Sequence, residues 1–440
     1  MAKVRLSLDG WREAHVAPAE FQLPITRPKS QIELEPVSPR LVRELTHPSR
    51  TDFFASVAFT SDSERLVARG FPSGIAQVWE VSSGKSLTRI HTGGDRFCQW
   101  RVAPDGTAGF LSRIGSKETL VERNGKTLRR MDYTGDVRSW NLKSGQLTGT
   151  FQFTPARGTS RFCISPDSKQ MVTFDRQSGE YERSVPWTTS LWNLSTGESR
   201  TIADDLHCEL SQFSADGKSL VATQFDDKKH LLAVKLIDVE STKVRLSIPV
   251  EGKLHSNSYI AITTDAMLLA NCLYSEVTKQ TWLRVWNGRT GDEVLSFAAD
   301  VGDLLSWVAF SPDGRTVAVT SDADDGPKLL LFDMATRKLT TTLRLGPKAS
   351  VGDPVFNPDG RWVFVVTQVE TDETGQSFRD PLEMAQARIH VIEAATGTLR
   401  ESCVAPQGLL GTVEFSPDGT RFATTATGKV LLWDFTKLPK

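Results

Sequence analysis

Phe415-Ser416-Pro417-Asp418-Gly419-Thr420, followed by the apolar run Val430-Leu431-Leu432-Trp433 and then Asp434, decides the fold. The same arrangement recurs eight times: a turn of the Ser-Pro-Asp-Gly type, then an apolar run that ends in an aromatic or β-branched residue and Asp, Asn or Glu. The turns hold Asp62, Asp105, Asp167, Asp216, Asp265, Asp313, Asp359 and Asp418. The endings are Trp79-Glu80, Trp140-Asn141, Trp192-Asn193, Ile237-Asp238, Trp286-Asn287, Phe332-Asp333, Ile392-Glu393 and Trp433-Asp434. A repeat of roughly 40 to 60 residues with several short strands per unit is the mark of a propeller built from radial blades.

The turn chemistry explains the pattern. Proline presets φ for a type I turn, Asp suits the next position, and Gly accepts the left-handed conformation that closes it. Such a turn joins strands A and B, as between Val308-Ala309-Phe310 and Thr316-Val317-Ala318-Val319. The Trp-Asp-like ending closes strand C. A Ser/Thr-Gly turn such as Thr290-Gly291 then leads to an outer strand D such as Val294-Leu295-Ser296-Phe297. Blades pack between neighbours, so their inner strands should read as nearly continuous apolar runs, as Leu329-Leu330-Leu331-Phe332 does.

The expected fold is therefore all-β: an eight-bladed propeller of four-stranded antiparallel blades. The last unit has no strand D after Trp433-Asp434-Phe435, and Pro39 to His47 has the composition to supply it from the N-terminus. Filling that edge also removes an aggregation liability. The fifth turn, Thr263-Thr264-Asp265-Ala266, lacks Pro and Gly, and if it opens no blade the ring has seven. Residues 1–37, with Pro18, Pro24, Pro28 and Pro36, read as an N-terminal extension or arm, and residues 38–440 as the propeller.

These residues resemble the WD40-repeat family, in its degenerate bacterial form. The resemblance runs over roughly residues 38–440. It implies the propeller fold, without the rigid blades of the family's eukaryotic members. Members of that family usually join a His before strand A, an Asp in the B–C turn, a Ser/Thr and the Trp in a buried hydrogen-bonded set. That set is expected to be mostly missing here: His47 and His91 lack the preceding Gly, and the tips at Gly74 and Gly428 carry no Asp.

Composition narrows the function. A formal net charge of −1 argues against a general electrostatic grip on nucleic acid or anionic lipid. No apolar run approaches the roughly 20 residues of a membrane span, and the N-terminus has a basic start without the apolar core of a signal peptide. Five scattered cysteines without Cys-x-x-Cys spacing read as thiols in a reducing compartment, so a cytoplasmic, monomeric propeller is expected.

No catalytic constellation stands out. There is no Gly-x-Ser-x-Gly, and the seven histidines are mostly isolated. Neither a cofactor nor a metal is indicated, and the residues point to a non-enzymatic scaffold. In this topology the B–C and D–A loops share one face of the disc, and the B–C connections at 113–135, 175–189, 274–280 and 370–386 are expected to be expanded. They carry Tyr133, Tyr181, Trp187, Tyr274, Trp282 and Phe378 with Arg129, Arg130 and Arg183, residue types enriched at contact hot spots. These nine are the candidate contacts for a protein or peptide partner. Extra hairpins are the plainer explanation, and Glu118 to Arg129 around Asn124-Gly125 has that form. The rival function is a propeller enzyme or small-ligand binder, lactonase-like or quinoprotein-like, with His207, His255 and Asp303 converging on the channel. Aspartates in the same loops (Asp52, Asp95, Asp204, Asp205, Asp300, Asp303, Asp353) are expected to cap their own turns rather than bind a cation.

Overall fold

Eight antiparallel sheets account for every strand of the structure, a computed structural model that describes residues 41–49, 52–93, 99–123, 126–153, 162–176, 187–203, 211–226, 230–256, 260–346, 349–368, 387–404, 413–426 and 428–436. The first blade is Phe53–Phe59, Arg65–Phe71, Ile75–Glu80 and Ser86–His91, in spatial order A-B-C-D. The order repeats around the ring, with strand A split in two in blade 5 (Leu254–Ser256, Ala261–Ile262) and blade 7 (Ser350–Val351, Val355–Phe356). The fifth unit is a blade, so the ring has eight. Residues 1–37 lie outside the described residues.

Alternation along strands B and C sends successive side chains to opposite faces, and each face meets a different neighbour. In blade 1, Val67, Ala76, Val78 and Ile90 pack on Trp100, Leu111, Trp140 and Leu142 of blade 2. Leu66, Ala68 and Trp79 pack the other way, on Leu45, Ala423, Val430 and Leu432 of blade 8. Every gap between neighbouring blades is filled by one such apolar cluster. The repeated aromatic or β-branched position at the end of strand C belongs to these clusters: Trp79, Ile237, Trp286, Phe332, Ile392 and Trp433 are all buried.

The polar half of the repeat caps turns. In six of the eight A–B turns the first-position hydroxyl bonds the Asp carboxylate at 2.5–2.8 Å, from Thr60 to Asp62 through Ser416 to Asp418; Ala103 and Asn357 hold that position in the other two. These hydroxyls hold Asp62, Asp167, Asp216 and Asp313 below the ordinary carboxylate value. At the end of strand C, the oxygens of Asn141, Asn193, Asp238, Asn287, Asp333 and Asp434 accept backbone N–H groups of the following turn at 2.7–2.9 Å. Thr263-Thr264-Asp265-Ala266 works without Pro or Gly because Thr263 and Asp265 supply this bond and Ala266 takes φ 57°. Ser63 and Ser168 take the same left-handed conformation, and their hydroxyls accept the Asp418 and Asp105 N–H groups of neighbouring turns at 3.1 Å.

Closure follows the expected route. Leu41–Thr46 pairs antiparallel with Lys429–Asp434 as strand D of blade 8, with Leu45 opposite Val430. A buried polar knot lies beside this seam. His47 Nε2 is 3.1 Å from the Ile75 carbonyl, and its other nitrogen is 3.7 Å from the Asp52 carboxylate. Asp52 in turn accepts the Ser73 hydroxyl and N–H, and the Asp52 carbonyl accepts Gly428 N–H at 2.8 Å. The His-to-Asp contact read as missing from blade 1 is thus present, with the acid supplied by the loop before strand A instead of by the B–C turn. The tryptophan part survives elsewhere: Trp192 and Trp433 donate to Thr173 and Thr424 at 2.8 and 3.0 Å.

Leu45 is 2 % exposed and Val42 on the same strand is 45 % exposed. Leu45→Ala is expected to cost about 2–5 kcal/mol, as for other buried Leu truncations, and Val42→Ala less than about 1 kcal/mol, by urea unfolding. Equal effects would contradict a sealed seam. In blade 7, His390 Nε2 lies 2.9 Å from the Thr367 hydroxyl, and burial, followed by the charge of Arg388, pushes its pKa down to about 4. The unfolded chain therefore binds the proton first. The stability from neutral His390 is complete above pH 6.5 and is lost as pH falls towards 4. The loss should be about 2 kcal/mol between pH 7.5 and 5, and a His390→Gln variant should show a flatter urea-midpoint profile over that range.

Candidate functional site

The face carrying the B–C and D–A connections is the uneven one. In blade 2, strands B and C are Ala108–Arg123 and Lys126–Asn141, paired without interruption out to Arg123 opposite Lys126. The 113–135 connection is thus a continuation of the blade's own two middle strands as a hairpin, the plainer of the two expected forms. Its reach follows from length: strands rise about 3.3 Å per residue, and the pairs from Ile114–Gly135 outward run past the strand D pairing, which stops at Gly135–Phe153. Tyr133, Arg130 and Arg129 occupy backbone positions of this extension, opposite Ser116, Thr119 and Leu120.

Blade 5 corrects one expectation. The 274–280 connection is not expanded: strand B ends at Ser275, strand C starts at Thr281, and Lys279 N–H closes the turn on the Ser275 carbonyl at 2.9 Å. Tyr274 is half-buried and stands opposite His255 in the register. Trp282 packs against the core between blades 4 and 5, so it supports the scaffold and is not a projecting anchor. Trp187 starts strand C of blade 3 opposite Arg176. Tyr181, Arg183 and Phe378, and with them most of the 175–189 and 370–386 connections, lie outside the described residues.

Exposed apolar side chains mark the same face. Val301, Val277 and Leu120 are 83 %, 82 % and 68 % exposed, on the blade 5-to-6 D–A turn, the blade 5 B–C turn and the blade 2 hairpin. The first two turns are tied to one another through Thr281, whose hydroxyl donates to the Asp303 carbonyl at 2.8 Å and accepts Leu305 N–H at 3.1 Å.

Of the three residues of the rival function, His255 and Asp303 are described. Asp303 does not converge with His255: it is held by the Lys328 ammonium at 2.9 Å to both carboxylate oxygens. His207 lies outside the described residues. The opposite end of the axis opens into a cavity of about 380 Å³ lined by Pro104, Pro166, Pro312, Phe213, Ile262 and neighbours from the A–B turns. Two carboxyls on the inner strands are pushed up by burial, Asp353 between the halves of strand A in blade 7 and Glu414 in blade 8. Glu414, on strand A of blade 8, is half-buried by solvent contact yet enclosed by protein, and desolvation raises its pKa to about 7 against the opposing charge of Arg101.

The loop aspartates were expected to cap their own turns. Asp52 and Asp303 instead reach across to Ser73 and Lys328, while Asp95, Asp204 and Asp205 lie outside the described residues.

A histidine cluster at the boundary of blades 4 and 5 was missed from sequence. His230 precedes strand C of blade 4, His255 is in strand A of blade 5, and Glu276 opens the blade 5 B–C turn. One donor atom from each lies within 4.8 Å of the others. The two imidazoles have centroids 4.8 Å apart, and His255 Nε2 is 3.3 Å from a Glu276 oxygen. Asp226 takes His230 Nδ1 at 2.7 Å and the His230 N–H at 2.8 Å. The signal available in sequence was Asp226 four residues before His230, the spacing at which a short turn lets a carboxylate grip both groups.

The sequence was compared with known proteins. No curated protein matches the chain. A family model described as the lipoprotein LpqB beta-propeller domain matches residues 283–436, from strand C of blade 5 to the end of blade 8 and less than half of the chain, which agrees with the propeller seen in the structure.

Proposed function

We propose that this protein is a non-enzymatic scaffold, a WD40-like propeller that captures a partner protein or peptide on its B–C/D–A face. The observation that carries this reading is the placement of the three most exposed large apolar side chains among the described residues, Val301, Val277 and Leu120, all on that face. Their exposure has no use in folding, and exposed apolar groups set on a rigid frame of loops are the usual basis of recognition. The remaining exposed large hydrophobics are mostly on outer D strands, among them Leu87, Leu147, Val244 and Leu399. The candidate contacts Tyr133, Arg129 and Arg130 on the hairpin backbone, and Tyr274 beside the blade 5 turn, belong to the same face.

In this reading the propeller acts as a monomer in the cytoplasm, without nucleic acid or membrane. Five scattered cysteines without Cys-x-x-Cys spacing suit a reducing compartment. The matched family is described as the propeller of a lipoprotein, so the alternative is attachment to a membrane, and fractionation of cells expressing the tagged chain separates the two.

Val277→Glu combined with Val301→Glu should change stability by less than about 1 kcal/mol in total, as surface substitutions do. The double variant should lose the proteins that the wild-type chain captures from native extract. Capture of the same proteins by a folded double variant would overturn the assignment of this face.

A further inference from the structure

We propose that His230, His255 and Glu276 form a transition-metal site, best suited to zinc, that clasps blades 4 and 5 on the loop-bearing face. This goes beyond the partner-binding reading and does not depend on it.

The donor set comes first. Two imidazoles and one carboxylate are a zinc set with an open fourth position, whereas calcium and magnesium take oxygen ligands. Ligands about 2.1 Å from a tetrahedral ion stand about 3.4 Å apart, and His255 Nε2 and Glu276 Oε1 are already 3.3 Å apart. That nitrogen is out of contact with solvent and makes no hydrogen bond, although a Glu276 oxygen is 3.3 Å away. A buried acceptor left in this way is costly. A bound cation would satisfy it.

Orientation is the second argument. Metal-binding histidines commonly give their other ring N–H to a carboxylate, which fixes the tautomer and strengthens the ligand. Asp226 does this to His230: bonded to Nδ1 at 2.7 Å, it leaves Nε2 as the nitrogen with a free lone pair. The backbone N–H of His230 bonds the same carboxylate, so the pair is locked at two points. Glu276 is the adjustable member. Its side chain is 64 % exposed on a surface turn, so it can swing the remaining distance and leave the open position to water.

The placement supplies the third. The three residues come from two blades, and an ion would bridge a boundary otherwise held by apolar contacts among Phe225, Leu231, Leu254 and Leu273. Such a clasp would fix the blade 5 B–C turn, which also carries Val277.

The test uses the full chain, stripped with a chelator and titrated with zinc chloride by calorimetry and with cobalt(II) by visible absorption. The expected result is one zinc per chain and cobalt bands of a tetrahedral or five-coordinate site. Glu276→Gln and His255→Ala should each weaken zinc at least about 100-fold, and Asp226→Asn about 10–100-fold, the range for loss of a supporting partner. His91→Ala, at an exposed histidine on blade 1, should bind like the wild type. Glu276→Gln alters an exposed side chain, so it keeps the test valid if a histidine variant misfolds. No stoichiometric zinc on the wild-type chain, or unchanged affinity in folded Glu276→Gln and His255→Ala, would overturn the site.

Discussion

Two-sided burial of the middle strands is the interaction on which the rest of this structure depends. Each blade exposes an apolar face to either neighbour, so no blade can bury its own core. Leu66 and Val67 are adjacent in sequence and fully buried, yet one packs towards blade 8 and the other towards blade 2. A side chain of this kind contributes about 1.5–3 kcal/mol on burial. The gain is realised only when the next sheet is in place, which favours a closed ring over any open arc of the same units.

That requirement gives the first described strand its role. Without Leu41–Thr46, strand C of blade 8 would present an open edge, and Leu45 would be missing from the cluster that joins blade 8 to blade 1. The His47–Asp52–Ser73 knot sits at the same seam. Burial lowers the pKa of His47, whose ring is held by backbone bonds to Ile75 and Ser49. Elsewhere the seam turns repeat the general scheme: Asp418 N–H meets Ser63 on blade 1, as Asp105 N–H meets Ser168 between blades 2 and 3.

The fold was legible because its signature is local. A hydroxyl two residues before Asp, or an amide or carboxylate just after the buried aromatic, determines a turn within a few residues, and Thr263 with Asp265 shows that Pro and Gly are dispensable. Much of the site was not legible, because it depends on distance between blades. Nothing near His230 announces His255, and only the ring brings them together. Loop length also misled: the Tyr274–Gln280 segment contains polar and β-branched residues like those of a long loop, but its strands extend to Ser275 and Thr281 and leave only a short turn. The hairpin at 113–135 was read correctly as a possibility because alternation and Asn124-Gly125 are local signals.

The two faces of the disc therefore have different tasks. The A–B face is a ring of short capped turns that hold neighbouring blades, and the opposite face carries the hairpin, the exposed valines and the histidine cluster. All of this assumes the ring closed through its N-terminal strand, and hydrogen–deuterium exchange measures that most directly. The amides of Leu41–Thr46 should exchange as slowly as those of their partner Lys429–Asp434, and both should open together. Rapid exchange of Leu41–Thr46 while Lys429–Asp434 stays protected would contradict it.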